Sequence, residues 1–224
     1  MSNLFHTLLT EPLLASLNFF YNYLAFQDLG IAIILLTFAI RLILFPLFYK
    51  SFRNQTILQK IQPEVVKVQQ QHKHDKEKQA TALMELYKQH KVNPFSGFLL
   101  ILIQLPILIA LYQVFLNPPA GLSSTFLGFV DLKQRNLLII VLAAGLQYFQ
   151  GKLSMPSPSA GGQPDQENNP SLKMAKNMLF LGPLMTLVVL YNISSAVGLY
   201  WLATTVFSIG QQVIINKQLR HGTS

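Results

Sequence analysis

The hydrophobic residues of this chain fall into five long stretches separated by polar segments. A helix needs roughly 20 apolar residues to cross the hydrocarbon core of a bilayer, and each stretch approaches that length. We therefore predict an all-α, polytopic membrane protein with five transmembrane helices. The predicted spans are residues 29–50, 94–116, 134–151, 177–192 and 197–216, of which the third and fourth are short.

The long polar segment between the first two spans, residues 51–93, has a pattern of its own. Apolar residues recur at helical spacing in two runs, residues 57–68 and 83–87, with a polar stretch between them. This pattern predicts a helical hairpin that lies in water. Pro63 should interrupt the first arm, and Asp75 is the expected N-cap of the second.

Three further segments lie outside the spans. Residues 11–25 place leucines and aromatic residues on one helical face, which is typical of a helix at the membrane interface. Residues 152–176 are rich in Pro, Gly, Ser and Asn and lack an apolar period, so we expect a disordered linker, and residues 217–224 form a short tail. We expect no signal peptide, since the first 40 residues contain no Lys or Arg.

The charges orient the predicted helices. Fourteen of the 17 Lys and Arg residues fall in residues 50–93, which are the hairpin and the residue before it, in the linker and in the tail, whereas the other side has only Lys133 and Arg135. By the positive-inside rule, we expect a multi-pass protein of the cell (inner or plasma) membrane with its N-terminus outside and its C-terminus in the cytoplasm. The net charge of +8 is thereby explained, and no basic cluster remains to suggest a specific nucleic acid partner.

Arg41 is the one charged residue in the interior of a predicted span, since Lys50 and Arg135 stand at span ends. A guanidinium at this depth is costly and by default functional, and none of the spans offers an Asp or Glu to pair with it. Two interpretations stay open, because the side chain either snorkels to the inner headgroups or lies in a hydrated groove. Polar span residues at similar depth favour the groove, and its candidate residues are Arg41, Thr37, Gln104, Gln147 and Gln211. Trp201 is either an ordinary membrane aromatic or a further substrate contact.

Other kinds of chemistry find little support. His72 and His74 have H-x-H spacing, but they lie in a lysine-rich hairpin tip without a third ligand, so we predict no metal site. The chain has no cysteine, which excludes disulfides and thiolate ligands. Without a nucleophile triad or a glycine-rich phosphate loop, we predict a protein that is not an enzyme and binds no cofactor.

A series of motifs, in this order, resembles the YidC/Oxa family of membrane protein insertases over almost 190 residues. The motifs are QDLGIAIILLTFAIRLILFPL (27–47), QPE (62–64), ELYKQHKVNPFSG (85–97), QLPILIALY (104–112), GLYW (198–201) and SIGQQ (208–212). The large outer domain of many bacterial members has no counterpart here, so we expect a minimal bacterial form.

The resemblance implies an insertase and chaperone that moves hydrophilic segments of client proteins across the inner half of the bilayer. The client segment would enter a groove open to the cytoplasm, and its helix would be released into lipid. The implied partners are nascent or newly made membrane proteins and membrane lipid, and the ribosome and the Sec translocon are left open. The hairpin would recruit clients around Lys60, Lys67, Lys73 and Lys76.

Two other functions remain compatible with the residues. A small anion transporter or channel could use Arg41 as its anion site, although the chain has neither internal repeats nor a polar outer half. A passive scaffold for membrane protein assembly could hold half-folded helices without moving anything across the bilayer.

Overall fold

The computed structural model describes residues 2–116, 121–154 and 170–221. Helices contain most of these residues, and one pair of short strands lies among them. The elements in chain order are α1 (Ser2–Phe5), a π-helical turn (His6–Thr10), α2 (Glu11–Tyr23), α3 (Leu29–Ile43), α4 (Phe45–Lys60), α5 (Gln62–Gln71), α6 (Lys76–Gln89), α7 (Ser96–Leu116), β1 (Thr125–Phe126), β2 (Val130–Asp131), α8 (Leu137–Leu153), α9 (Pro170–Tyr191) and α10 (Ser195–His221).

The largest apolar core forms where α2 packs against α3. Leu17 and Tyr21 of α2 are buried in it together with residues of α3, α7 and α10. The side chain of Asp28 caps α3 by accepting a hydrogen bond from the N–H of Ile31 at 2.9 Å. This cap fixes the residue at which the chain leaves the turn after α2 and enters α3. The predicted helix at residues 11–25 exists at Glu11–Tyr23, and its place at a membrane interface stays a prediction.

The first predicted span, residues 29–50, is broken at Leu44. Helix α3 ends at Ile43, α4 begins at the second residue after it, and their axes meet at 72°. Pro46 explains the break, because proline has no N–H to continue the helical ladder and its ring clashes with the preceding turn. The prediction of one helix through residue 50 is therefore wrong, and the signal against it was this proline.

Helix length and hydropathy set how many of the helices can cross a membrane. Among the described residues, α7 and α10 are each long and apolar enough, and the bent pair of α3 and α4 would add a third span. Helix α8 and the Leu179–Tyr191 part of α9 are apolar but shorter. A mostly helical membrane protein is thus confirmed, whereas the count of five spans stays a prediction.

The boundaries of the third predicted span, residues 134–151, differ from the observed helix. Helix α8 begins at Leu137 because the Asn136 side chain accepts hydrogen bonds from two N–H groups of its first turn, at 2.9 and 3.3 Å. It then continues to Leu153. The helix is therefore displaced toward its C-terminus by its cap.

The predicted linker and tail are shorter than expected. Helix α8 includes the first two residues of the predicted linker 152–176, and α9 begins at Pro170, a residue type well suited to the first position of a helix. The part of the predicted disorder at residues 155–169 lies outside the described residues. Helix α10 continues to His221 through most of the predicted tail 217–224, whose last three residues also lie outside the description.

Contacts with α4 explain why α10 continues so far. The hydroxyl of Tyr49 donates a hydrogen bond to Gln218, and Lys60 Nζ donates one to the carbonyl oxygen of Leu219 at 3.1 Å. These bonds satisfy groups of the polar last turns of α10, including one of the carbonyls that a helix end leaves free. The C-terminal part of α10 is therefore fixed to the base of the hairpin.

A small β-hairpin precedes α8 and was not part of the all-α prediction. Its two strands are antiparallel, with Thr125 opposite Asp131 and Phe126 opposite Val130. The ring of Phe126 lies against Gly30 in α3, where a Cβ atom would be only 2.1 Å from the ring. The N–H of Leu127 also donates to the second carboxylate oxygen of Asp28 at 2.6 Å. The strand pair is therefore fixed to the start of α3.

Helices α5 and α6 form an antiparallel pair after α4. The predicted N-cap at Asp75 is confirmed, since its carboxylate accepts a hydrogen bond from the N–H of Lys78 at 3.0 Å. This bond lowers the pKa of Asp75 below its usual value. The helices share a small apolar core that consists of Ile61, Val65, Leu86 and Val92. Pro63 stands in the first turn of α5 after a break at Ile61, as expected of a proline near this point.

Candidate functional site

Arg41 lies in the last turn of α3 and is only 5% exposed. The bend at Leu44 turns α4 so that the ring of Phe48 lies against the guanidinium, with 4.1 Å between Arg41 Cζ and the ring centroid. An aromatic face attracts a cation at this distance but is not a strong hydrogen-bond acceptor. One turn earlier, buried Thr37 donates its hydroxyl to the carbonyl oxygen of Ile33 at 2.6 Å.

The guanidinium of Arg41 is not fully satisfied by the protein. Its Nη1 atom is buried and has no hydrogen-bond partner among the described residues. The salt bridges found among the described residues all involve side chains other than Arg41. A buried charge without a partner is costly, because it loses hydration that nothing replaces. This site therefore calls for water or a bound polar group.

Helix α10 presents a row of polar side chains, two of which have buried unsatisfied atoms. Tyr200, Thr204 and Gln211 follow one another at intervals of four and seven residues, which places them on one face of the helix. Gln211 is 3% exposed, and neither its amide nitrogen nor its amide oxygen has a partner within the described residues. The buried hydroxyl of Thr204 likewise has no hydrogen-bond partner among these residues.

A contact between α3 and α10 indicates that Arg41 and Gln211 lie at a similar depth in the bundle. The rings of Phe38 in α3 and Phe207 in α10 are in contact, with centroids 5.7 Å apart. Both helices begin beside residues 124–134, since Asp28 binds the strand pair and the first N–H groups of α10 donate to carbonyls of the same segment, so they run in the same direction. Arg41 follows Phe38 by three residues and Gln211 follows Phe207 by four, which corresponds to about 5 Å along each axis.

Gln104 connects a third helix to this region. Its amide nitrogen in α7 donates a hydrogen bond to the hydroxyl of Tyr200 in α10. Tyr200 is buried, and its hydroxyl is thereby held between α7 and α10. The polar atoms of α3, α7 and α10 together form what we call the Arg41 cluster, which consists of Arg41, Thr37, Gln104, Tyr200, Thr204 and Gln211.

The two other predicted groove residues lie in a different place. The side-chain oxygen of Gln147 in α8 accepts hydrogen bonds from Trp201 Nε1, at 3.1 Å, and from the hydroxyl of Thr186 in α9. Trp201 is one residue, or about 100° of rotation, from Tyr200 and so faces α8 instead of α3 and α7. We call Gln147, Thr186 and Trp201 the Gln147 cluster.

The six candidate groove residues are thus divided between two clusters. Arg41, Thr37, Gln104 and Gln211 belong to the first, and Gln147 and Trp201 to the second. No hydrogen bond joins the two clusters in the part of the chain that the structure describes. The sequence analysis missed Phe48, which the unexpected bend at Leu44 brings to Arg41, and Thr186 and Thr204, which short polar side chains in apolar helices could have signalled.

The four lysines proposed for recruitment lie on the surface of α4, α5, α6 and the turn between α5 and α6. Lys60, Lys67, Lys73 and Lys76 are all exposed, and Lys60 binds the end of α10 as described above. Their charged side chains therefore make this surface electrostatically positive. Within residues 2–116, 121–154 and 170–221, no group of three His, Asp or Glu side chains could hold a metal ion.

Known proteins resemble this chain over nearly its whole length. The family model of the 60Kd inner membrane protein matches residues 19–222. The membrane protein insertase YidC of Magnetococcus marinus is 39% identical over 219 residues, which cover 96% of this chain and 37% of that protein. The membrane protein insertase YidC of Clostridium tetani is 35% identical over 188 residues, which cover 84% of this chain and 81% of that protein.

The two relatives differ in how much of their length the chain represents. It spans little more than a third of the Magnetococcus protein but most of the Clostridium protein. The matched region contains every element from the middle of α2 to the end of α10, including both polar clusters. The chain therefore belongs to the 60Kd inner membrane protein family, the YidC/Oxa family whose motifs its sequence resembles.

Proposed function

We propose that this protein is a membrane protein insertase whose Arg41 cluster receives hydrophilic segments of client proteins. The observation that carries the proposal is a buried guanidinium that has no acidic partner within the described residues and lies level with an unsatisfied amide. A site of this kind attracts water and transiently binds polar or acidic groups that pass through it. The relatives named as insertases support the same function.

The proposed path is short because α3 is short. Its 15 residues extend over roughly 22 Å, less than the roughly 30 Å of a bilayer core. Arg41 lies two residues before its end, so water from that side has little distance to travel. A polar segment that reaches the cluster would then cross only the remaining apolar layer, and burial of the client's own apolar helix would drive insertion.

The proposed topology has five spans, formed by α3, α7, α8, α9 and α10. The basic side, with α4 to α6 and both ends of the linker, lies in the cytoplasm, and the N-terminus lies outside. In this orientation Arg41 is in the cytoplasmic half of the membrane. The exposed lysines of α4 to α6 would gather clients near the opening.

The decisive experiment is insertion into liposomes that contain only this protein. Clients with one span and a translocated tail of neutral or acidic composition are added, and protease protection of the tail is measured. Wild type should insert both kinds. Arg41→Leu should lower insertion of acidic tails about tenfold, which corresponds to about 1.4 kcal/mol of lost attraction, and that of neutral tails less. Arg41→Lys should keep part of the activity, because a positive charge is retained.

Arg135→Leu is the matched control. Arg135 also lies over an aromatic ring, that of Tyr191 with 4.6 Å from Cζ to the centroid, but it is exposed and outside the Arg41 cluster. Its replacement should leave insertion unchanged. Equal insertion of acidic tails by wild type and Arg41→Leu would refute the electrostatic role. Anion efflux from the same liposomes without any insertion would instead favour an anion channel.

A further inference from the structure

An apolar surface lies at the end of the bundle where α3 begins. It is formed by two turns, residues 23–27, which comprise the last residue of α2 and the chain that leads to α3, and residues 127–129 between the strands. Phe26 is 92% exposed, and Tyr23 and Phe129 are each 76% exposed. Leu24 and Leu127 are also more than half exposed. Five large apolar side chains on two neighbouring turns are more than scattered surface hydrophobics would give.

The backbone of both turns is held in an uncommon conformation. Phe26, Gln27 and Leu127 have φ values of 52°, 60° and 53°, in the left-handed region that bulky residues rarely occupy. Such conformations persist only where the surrounding structure enforces them, and they are concentrated at functional sites. Two of the three, Phe26 and Leu127, carry exposed apolar side chains at positions where glycine would meet the requirement of a tight turn without strain.

Asp28 holds the two turns together. One carboxylate oxygen caps α3 at Ile31, and the other accepts the N–H of Leu127 at 2.6 Å. Tyr21 adds a second connection, because its hydroxyl accepts the N–H of Ser123 at 2.8 Å. The positions of the exposed side chains are therefore set by the start of α3 and not by loop flexibility.

The chemistry of this surface identifies what covers it. Asp131, the other carboxylate of the strand pair, is occupied in binding the Lys133 N–H and the Gln134 amide, so no free acid is directed outward from the two turns. Residues 23–27 continue directly into α3, so the inference rests on the proposal above that α3 is the first membrane span. Aromatic residues at the end of a membrane helix are typical of the boundary between headgroups and acyl chains.

We infer that the two turns, residues 23–27 and 127–129, form a lipid anchor that inserts into the headgroup boundary of the bilayer. Its occupant is the lipid surface, and its attraction is hydrophobic, so it does not depend on lipid charge. Because Asp28 ties the anchor to α3, the anchor also sets the depth of Arg41, 13 residues or roughly 20 Å further along the helix. This inference holds whichever side of the membrane the anchor faces.

The absence of cysteine makes a direct test simple, since a single introduced cysteine can carry a nitroxide label. Phe26→Cys and Phe129→Cys are labelled in the full chain and reconstituted into vesicles, with Lys133→Cys, exposed at the same end, as the control. Accessibility to oxygen, which is concentrated in lipid, is compared with accessibility to a water-soluble nickel complex. We expect the labels at 26 and 129 to favour oxygen by several fold and the label at 133 to favour nickel.

The result should be the same in zwitterionic vesicles and in vesicles with anionic lipid. Nickel accessibility at 26 and 129 equal to that at 133 would overturn the inference. Label broadening that grows with the ratio of protein to lipid would assign the surface to a second copy of the chain. If the labels at 26 and 129 lie at membrane depth only in vesicles with anionic lipid, the attraction to the bilayer comes from Lys133 and Arg135. Each of the last two results would likewise refute the anchor.

The role of Asp28 has its own test. Asn at this position can still cap α3 with its amide oxygen, but it lacks the second acceptor oxygen that binds Leu127. In Asp28→Asn, a label at 129 should therefore become more mobile, while a label at 133 stays unchanged. An unchanged spectrum at 129 would show that the carboxylate does not hold the anchor.

Discussion

The Arg41 cluster and the Gln147 cluster use the same kinds of residue and lie on adjacent faces of α10, yet their hydrogen bonding is opposite. In the Gln147 cluster one amide oxygen satisfies both the Trp201 and the Thr186 donors. In the Arg41 cluster, Arg41 Nη1, Gln211 and Thr204 all retain atoms without a partner among the described residues. The first arrangement joins helices, and the second leaves polar groups that, in the proposed function, are available to a passing client segment.

This difference separates two roles that polar residues in membrane helices can have. Satisfied groups stabilise helix packing, whereas buried unsatisfied groups lower stability and are retained where function needs them. The comparison therefore predicts that a substitution in the Gln147 cluster will lower stability more than insertion, and that the equivalent substitution in the Arg41 cluster will lower insertion more than stability.

The largest stability effect is expected for Gln147→Leu. Leucine has a similar volume but removes the acceptor on which Trp201 Nε1 and the Thr186 hydroxyl depend. Two donors left unpaired should lower the free energy of unfolding by about 1–3 kcal/mol. Thermal unfolding in detergent measures the loss, and insertion per folded molecule should remain close to wild type. A selective loss of insertion with unchanged stability would move Gln147 into the functional groove.

Gln211→Leu is the matched substitution in the other cluster. It removes two amide atoms that have no partner in the described structure, so stability should be unchanged or higher by about 1 kcal/mol. Insertion should fall about three- to tenfold, which corresponds to about 0.6–1.4 kcal/mol. The reason is that the groove loses hydration beside Arg41. If Gln211→Leu destabilises the protein as much as Gln147→Leu does, then Gln211 has a structural partner and the contrast between the clusters disappears.

The sequence predicts the class of this fold well because the apolar stretches are long and the charges lie between them. Arg41 also stands out, since a charge inside a span is visible without coordinates. The division into two clusters could not be predicted, because Tyr200 and Trp201 are neighbours in sequence and only the positions of α3, α7 and α8 determine which neighbour faces which helix. The contact of Phe48 with Arg41 depends on the bend at Leu44, and its signal was Pro46.

The strand pair and its connection to α3 were equally hidden. Two strands of two residues each are too short for an alternating pattern to identify them. Their position depends on Gly30, which leaves space for the ring of Phe126, and on the second carboxylate oxygen of Asp28. Sequence spacing shows neither contact, because about 100 residues separate the partners.

The smallest expected effect concerns the contact between Gln104 and Tyr200, which belongs to the Arg41 cluster but is satisfied like the Gln147 cluster. Tyr200→Phe and Gln104→Leu each remove one side of the bond, and the double variant removes both. A double-mutant cycle of unfolding should give a coupling of about 0.5–1.5 kcal/mol, since hydrogen bonds between membrane helices are weak on average. Tyr112→Phe, on the exposed part of α7, is a control that should show no coupling with Gln104→Leu.

If the bond only joins α7 to α10, acidic and neutral client tails should lose insertion equally in Tyr200→Phe. A selective loss for acidic tails, with no coupling in the unfolding cycle, would mean that the Tyr200 hydroxyl serves the passing segment, and would place it with Arg41 and Gln211 instead of with the structural bonds.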